Sequence, residues 1–191
     1  MTQRLALKNL IMNASGPRTK TFNELQAIYE SHSAAVVSTS CTFYPILSSN
    51  PSSIYTDGHN SINAVGLKNL GFEYYASLSF PNKPYIMSLA PTSHDTLVCM
   101  LKTLQTRDNV NAIELNLSCP NTTSGVIAYD VGLLREMLDL LPHNYPKPIG
   151  IKLPPFYIRE HMRHIVQLIC QYPQISFLTS VKIPLAMQPC D

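Results

Sequence analysis

One cysteine stands where a thiol could do chemistry. In "ELNLSCPN", residues 114–121, an apolar run ends in Cys119, with Asn116 and Asn121 on either side. A thiolate can act as a base, but a free cysteine has a pKa of about 8.5, so this role needs a polar setting that excludes water. Each flanking amide offers two donors and an acceptor to a ligand. The alternatives are a small buried side chain for the cysteine and turn formation for the asparagines.

Polar residues also follow other apolar runs of the chain. Strand candidates lie at 10–15, 34–40, 84–90, 112–118, 148–154 and 175–181, and four of them lead into "NASG", "STSCT", "NLSCPN" and "KLPP". Continuously apolar runs are typical of parallel strands that are buried on both faces. In a βα barrel the carboxyl ends of the strands form the rim of the active site. The pattern predicts an α/β fold with its site at these strand ends.

Amphipathic stretches separate most of the strand candidates. Apolar residues recur at helical spacing at 97, 100, 101 and 104, at 134, 137, 138 and 141, and at 158, 162, 165 and 169. This alternation predicts βαβ units and a parallel sheet. Segment 41–71 has no helical period and many turn formers. Its length favours a lid, a binding loop or an interface arm, with a solvated surface excursion as the alternative.

The composition is that of one globular unit. The 191 residues are 45% hydrophobic and 14% charged with a net charge of +2, and no block of like charge predicts nucleic acid or an anionic membrane as a partner. No apolar run approaches the roughly 20 residues of a membrane span. Five widely spaced cysteines without a CxxC pair argue against a disulfide framework and a structural zinc site. We therefore expect no metal and a cytoplasmic location.

Five segments together resemble one family. In order and spacing, "ASGP" (14–17), "VSTSCT" (37–42), "NSINAVGLKNLGFEYY" (60–75), "ELNLSCPN" (114–121) and "GIKLPP" (150–155) are similar to the soluble class 1A dihydroorotate dehydrogenases. The resemblance runs from about residue 5 to residue 181. It implies a (β/α)8 TIM-type barrel that holds FMN, and a cytosolic homodimer. It also implies oxidation of dihydroorotate to orotate in de novo pyrimidine (UMP) biosynthesis, with fumarate as electron acceptor.

The resemblance also implies roles for single residues. Cys119 corresponds to the general base that removes a proton from C5 of dihydroorotate while hydride leaves C6 for the flavin. The implied substrate-binding residues are Asn63, Gly66, Leu67, Asn116 and Asn121. The implied flavin-binding residues are Ala14, Ser15, Gly16, Ser40, Asn116, Lys152 and Val181. Lys152 would favour an anionic reduced flavin, and a structural lysine with a buried stem is the alternative.

Several positions depart from the family pattern. Thr39 stands where the family has a lysine that contacts flavin and substrate, and threonine cannot supply that charge. Val65 replaces a methionine of the substrate loop. Lys182 and Ile183 replace an asparagine and a serine that bind substrate. We therefore expect a dihydroorotate dehydrogenase-like unit over residues 1–181 and a divergent tail over 182–191.

The strand count also falls short of a full barrel. A complete barrel has eight strands and about 250 residues, whereas six strand candidates are found and the glycine-rich phosphate loops expected after the last two strands are missing. We expect an incomplete barrel with about six of eight βα units and two open edges. We also expect this chain alone to bind FMN weakly or not at all. Such a pattern is typical of a fragment, an aberrant transcript product or a degenerating copy.

Three functions compete for this sequence. The first, which we favour, is FMN-dependent oxidation of dihydroorotate with Cys119 as base. The second is an inactive truncated remnant that at most binds a partner subunit through an open barrel edge, and Thr39 and Lys182 favour it. The third is another flavin-dependent barrel, acting on pyrimidines or on tRNA uridine. It shares the "CP" of residues 119–120 but fits the two asparagines and the "SINAVGLKNLG" loop less well.

Overall fold

The computed structural model describes residues 5–47, 54–56, 58–59, 61–63, 66–118 and 125–180. The strands are β1 (Val36–Val37), β2 (Ile54–Thr56), β3 (Ser61–Asn63), β4 (Tyr85–Leu89), β5 (Ala112–Asn116), β6 (Ile149–Leu153) and β7 (Ile175–Ser180). Five of them form one parallel sheet in the order β1, β4, β5, β6, β7, and β2 and β3 form a separate antiparallel hairpin. The predicted parallel sheet is confirmed.

Helices connect the strands of the sheet. They are α1 (Phe22–Glu30), α2 (Phe72–Ser77), α3 (His94–Gln105), α4 (Val131–Asp139) and α5 (Arg159–Ile169), with a short 3-10 turn at Ile127–Tyr129. The periodic apolar stretches correspond to α3, α4 and α5, as predicted. Side-chain caps begin α1, α3 and α4: Asp130, for example, accepts the free backbone N–H groups of residues 132 and 133 at the start of α4.

The two faces of the sheet differ in character. The outer face packs against the helices in a large apolar core, to which α3 contributes Leu97, Met100, Leu101 and Leu104. The inner face has only a small apolar cluster of Ala35, Val37, Ile86 and Ala112, against which Leu5 and Phe177 pack. Because side chains alternate along a strand, the residues two positions further along β4 and β5 lie on the same inner face. Those residues are polar.

Two strand predictions need correction. Residues 10–15 do not form a strand. Leu10 is fully exposed there, and the Asn13 side chain takes both backbone hydrogen bonds of Val37 in place of a ladder partner. The predicted strand at 34–40 is reduced to β1, because the ladder with β4 slips by one residue after Ser38: the Ser38 N–H donates to Ile86, and the next N–H to donate to β4 is that of Cys41, which bonds to Ser88.

Three elements were not predicted. Helices α1 and α2 lie in stretches that show no extended apolar periodicity, and α2 has only six residues. The β2–β3 hairpin lies within segment 41–71, for which only a loop was predicted. The domain boundary predicted after residue 181 lies outside the described residues and stays a prediction. Among the described helices, none is long and apolar enough to cross a membrane.

Candidate functional site

A row of polar side chains crosses the inner face of the sheet at its carboxyl end. Ser88 of β4 is in register with Glu114 of β5, and Asn116 of β5 is in register with Lys152 of β6. Thr179 of β7 is in register with Lys152. In a parallel sheet, residues in register point to the same face. The five side chains therefore share the inner face, next to the strand ends at which the sequence predicts a site.

Ser40 is the centre of a buried hydrogen-bond network. Its hydroxyl lies 3.0 Å from the Ser15 Oγ and 2.9 Å from the Ser88 Oγ, and the Asn116 Nδ2 donates to it over 2.8 Å. The orientation of the Asn116 amide is settled by its other end, where Oδ1 accepts from the backbone N–H and the hydroxyl of Ser118. The network joins three residues that were predicted from separate motifs.

Lys152 joins the same cluster from the next strand. Its side chain is buried, and its Nζ donates to the backbone carbonyl of Ser15 over 3.0 Å. In the part of the chain that the structure describes, no carboxylate forms an ion pair with this ammonium. A buried charge is costly unless it is paired or fully hydrogen-bonded. A bound group with negative charge would therefore be stabilised here.

Glu114 and Thr179 extend the network across β6. The Ser88 hydroxyl donates to one carboxylate oxygen of Glu114 over 2.9 Å, and the Thr179 hydroxyl donates to the other over 2.8 Å. The residue of β6 in register with Glu114 is Gly150, which has no side chain to stand between β5 and β7. The Phe177 ring lies over the same glycine. Gly150 therefore leaves space for the Thr179–Glu114 hydrogen bond and for the Phe177 ring.

The predicted substrate loop is hydrogen-bonded to the segment that follows β1. Gly66 has a φ of 61°, a backbone conformation that favours glycine, and Leu67 follows it. Asn69 is 1% exposed; its Nδ2 donates to the Leu67 carbonyl over 2.7 Å and to the Thr42 hydroxyl over 2.9 Å. Its Oδ1 accepts from the backbone N–H groups of Thr42 and Gly71. Asn69 therefore connects Leu67 to Thr42, which lies two residues after Ser40 in the sequence.

The remaining predicted residues fall into two groups. Ala14 is exposed and Gly16 half-buried on either side of Ser15, and Thr19 bonds to both the N–H and the carbonyl of Gly16. Asn63 pairs with Ile54 in the hairpin. Outside the described residues lie Cys119, Asn121, Val181, Val65, Lys182 and Ile183. Their roles stay predictions.

One observation bears on the predicted departures from the family, and two others concern Cys41 and metal binding. Thr39 is buried beside Ser40, so the position where the family has a lysine holds a neutral side chain. Burial raises the pKa of the Cys41 thiol far above its usual range, which makes this cysteine an unreactive core residue. Among the described residues, no group of histidine, cysteine or acidic side chains could hold a metal ion.

Ser88, Glu114 and Thr179 were not among the predicted site residues. One signal for them was present, because Glu114 interrupts the otherwise apolar run "AIELNL" and a charged residue inside a buried strand needs partners. Nothing in the sequence shows that those partners lie on β4 and β7.

The family model described as dihydroorotate dehydrogenase matches residues 2–185. The probable dihydroorotate dehydrogenase A (fumarate) of Enterococcus faecalis is 30% identical over 88% of this chain and 57% of its own length. The dihydroorotate dehydrogenase A (fumarate) of Lactococcus lactis subsp. cremoris is 34% identical over 91% of this chain and 58% of its own length. The chain thus spans little more than half the length of the curated relatives it matches.

A solved structure of DHODH from Eimeria tenella, in complex with ferulenol, superposes with a TM-score of 0.66 at 13% identity. The superposition covers 92% of this chain and 57% of that one, and it confirms the barrel-type α/β fold. Together with the match of the family model over nearly the whole sequence, the curated relatives show that this chain belongs to the class 1A dihydroorotate dehydrogenase family.

Proposed function

We propose that this chain carries the site of an FMN-dependent enzyme that oxidises (S)-dihydroorotate to orotate. The observation that carries the proposal is the cluster of Ser15, Ser40, Asn116 and Lys152. Four separate segments supply these residues to one end of the sheet, and hydrogen bonds of 2.8–3.0 Å connect them. "NLSCPN" continues directly from that end of β5. Family membership supports the same reading.

The residues present fit the polar edge of a flavin ring. Lys152 is a buried ammonium whose one described bond goes to a neutral carbonyl, so two of its three N–H groups remain for a ligand. Bound FMN would supply the acceptor for the hydride that leaves C6 of the substrate. The positive charge of Lys152 would stabilise negative charge beside it. Ser15 and Asn116 both contact the Ser40 hydroxyl beside it.

The substrate is proposed to lie between the strand end and the loop at Gly66. Cys119 would remove the C5 proton, three residues beyond the last residue of β5. One N–H of the Asn116 amide is used by Ser40, and the second, which has no partner among the described residues, would hold a ring carbonyl. The backbone N–H groups at Gly66 and Leu67 would bind the substrate carboxylate.

Other features of the proposal rest on the family. The relatives named above carry "(fumarate)" in their names, so we propose fumarate as the electron acceptor. We also propose a cytoplasmic homodimer that acts in UMP biosynthesis.

A second candidate function is an inactive remnant that binds a partner subunit. Two observations favour it: Thr39 holds no charge, and β7 forms an edge of the sheet with Leu178 45% exposed. An exposed strand edge offers backbone groups to another chain. The two candidates differ in one measurable property, which is flavin binding followed by reduction with dihydroorotate.

The test is a titration of the purified chain with FMN, followed by anaerobic addition of dihydroorotate. Because weak binding is expected of this chain, the titration extends to high FMN concentrations, and the first function predicts flavin absorption that bleaches with substrate. Cys119→Ser should keep the flavin and slow the bleaching by about 10²- to 10⁴-fold, the usual contribution of a general base. The control is Cys99→Ser, since Cys99 is exposed on α3 and takes no part in the cluster around Ser40. Equal rates for Cys119→Ser and wild type would refute the role of Cys119. A protein that takes up no FMN would support the remnant.

A further inference from the structure

We propose that Glu114 is a positioning residue that sets the direction of the hydroxyl protons in the site, so that Ser15 presents only oxygen lone pairs to the ligand. The proposal rests on the proposed function for the identity of that ligand. It follows from counting protons along the chain Ser15, Ser40, Ser88, Glu114. A serine hydroxyl has one proton to donate and can accept two.

The count begins at the carboxylate. An ionised carboxylate can only accept, and Glu114 accepts the hydroxyl proton of Ser88 over 2.9 Å. Ser88 then has no proton for Ser40, although their oxygens are 2.9 Å apart. Ser40 must therefore donate to Ser88. The remaining proton donor of this part of the network is the Asn116 amide, which gives one N–H to Ser40.

The same proton count determines the direction of the Ser15 hydroxyl, which is the one proposed to face the ligand. Ser40 has given its proton to Ser88, so the 3.0 Å contact with Ser15 requires Ser15 to donate. Ser40 then accepts twice and donates once, which satisfies all its capacity. Ser15 is left with lone pairs only, and Lys152 holds the backbone of the same residue through its carbonyl. A ring N–H, rather than a ring carbonyl, is the group that such a hydroxyl oxygen binds.

The substitution Glu114→Gln would allow the hydroxyl protons of the three serines to point the other way. Its side-chain amide can donate to Ser88 as well as accept from Thr179, so that Ser88 can donate to Ser40 and Ser40 to Ser15. Ser40 would still accept from Asn116 in that arrangement. The heavy-atom positions can therefore stay as they are, while the proton of Ser15 turns toward the ligand.

The first test needs no flavin. In uniformly labelled protein, NMR would locate the slowly exchanging hydroxyl protons of Ser15, Ser40 and Ser88 through their contacts with neighbouring protons. We expect the Ser88 proton to be the furthest downfield of the three, since its acceptor is charged, and Glu114→Gln to move all three signals. The control is Glu136→Gln, an exposed glutamate on α4 whose partner is His94. Unchanged serine signals in Glu114→Gln would overturn the proposal.

The second test uses FMN and is read as affinity. Glu114→Gln should raise the FMN dissociation constant roughly tenfold, because a hydroxyl proton would face a ring N–H. In a Ser88→Ala background the same substitution should have no further effect, since the connection to Ser40 is already lost. Equal effects of Glu114→Gln with and without Ser88 would indicate a general structural role and overturn the proposal.

One outcome separates this inference from the proposed function. If FMN does not bind but the hydroxyl signals respond as expected, the proton order stands and the cofactor assignment fails. If Glu114→Gln does not fold, Ser88→Ala replaces it in the first test. The Ser40 proton then has no acceptor at position 88, and its signal should broaden or vanish by exchange with water. A sharp, unmoved Ser40 signal in Ser88→Ala would refute the proposed direction.

Discussion

The glycine at position 150 offers the sharpest test of how the inner face is built. A methyl group added there would sit well inside van der Waals contact with the Phe177 ring of β7. Overpacking of this kind costs about 1–3 kcal/mol. If the ring displaces β7, the hydrogen bond from Thr179 to Glu114 is also lost, at about 1.5–3 kcal/mol for a charged acceptor.

An opposing effect reduces the expected loss. Replacement of glycine by alanine restricts the unfolded chain and stabilises the folded state by about 0.4–1 kcal/mol. The sum for Gly150→Ala is a loss of about 3 kcal/mol in the free energy of unfolding. With a urea dependence of about 2 kcal/mol per M, the midpoint should fall by roughly 1.5 M. Far-UV circular dichroism is a suitable signal, since the chain contains no tryptophan.

The matched control is Gly132→Ala in α4. A methyl group at Gly132 would meet only a carboxylate oxygen of Asp130 at 3.2 Å, and the capping bond to the Gly132 N–H is made by backbone that alanine retains. Alanine is favoured over glycine in a helix by up to about 1 kcal/mol. We expect Gly132→Ala to be within about 1 kcal/mol of wild type.

A double-mutant cycle identifies the cause. In a Phe177→Ala background the methyl group at position 150 has no ring to meet, so Gly150→Ala should cost at least about 1 kcal/mol less than in wild type. The reasoning fails if Gly150→Ala is harmless. It also fails if its cost is the same with and without the Phe177 ring.

Two further predictions concern the substrate loop and the first helix. Asn69→Asp should lower the free energy of unfolding by about 2–4 kcal/mol and expose residues 66–71 to proteolysis. The reason is that it removes both Nδ2 donors and buries a carboxylate. The control is Asn111→Asp, which keeps the one acceptor atom that Asn111 uses. Partial burial raises the pKa of Glu24, but backbone N–H groups of Thr21 and Lys20 hold it below its ordinary 4.5. The stability that Glu24 adds is therefore present above pH 4.5 and lost as the pH falls through the lowered pKa, so urea unfolding of wild type and Glu24→Gln should converge in acid.

Each of these predictions has an outcome that contradicts it. If Asn69→Asp and Asn111→Asp unfold at the same urea concentration, Asn69 does not fasten the loop. If the gap between wild type and Glu24→Gln is as wide at pH 3 as at pH 7, the charge of Glu24 is not what stabilises α1. Glu73→Gln, at a side chain that is 74% exposed, should show no gap at either pH.

The parallel sheet and the helices α3, α4 and α5 could be predicted from the sequence alone. Both patterns are local: a buried parallel strand is apolar throughout, and an amphipathic helix repeats every three to four residues. Strand prediction was wrong where an apolar run lies in exposed, irregular backbone. Residues 10–15 are apolar enough for a strand, but an Asn13 side chain bonds to β1 in place of the backbone.

Which polar side chains contact one another could not be predicted without the three-dimensional arrangement of the strands. The motifs predicted Ser15, Ser40, Asn116 and Lys152 one at a time. They did not predict that the Glu114 carboxylate is connected to Ser40 through the Ser88 hydroxyl. Glu114 contacts residues 26 and 65 positions away, on strands at either side of β5 and β6. Such contacts depend on the register of parallel strands and on a single glycine that leaves space between them. Register is set by the packing of the whole sheet, and no local pattern carries it.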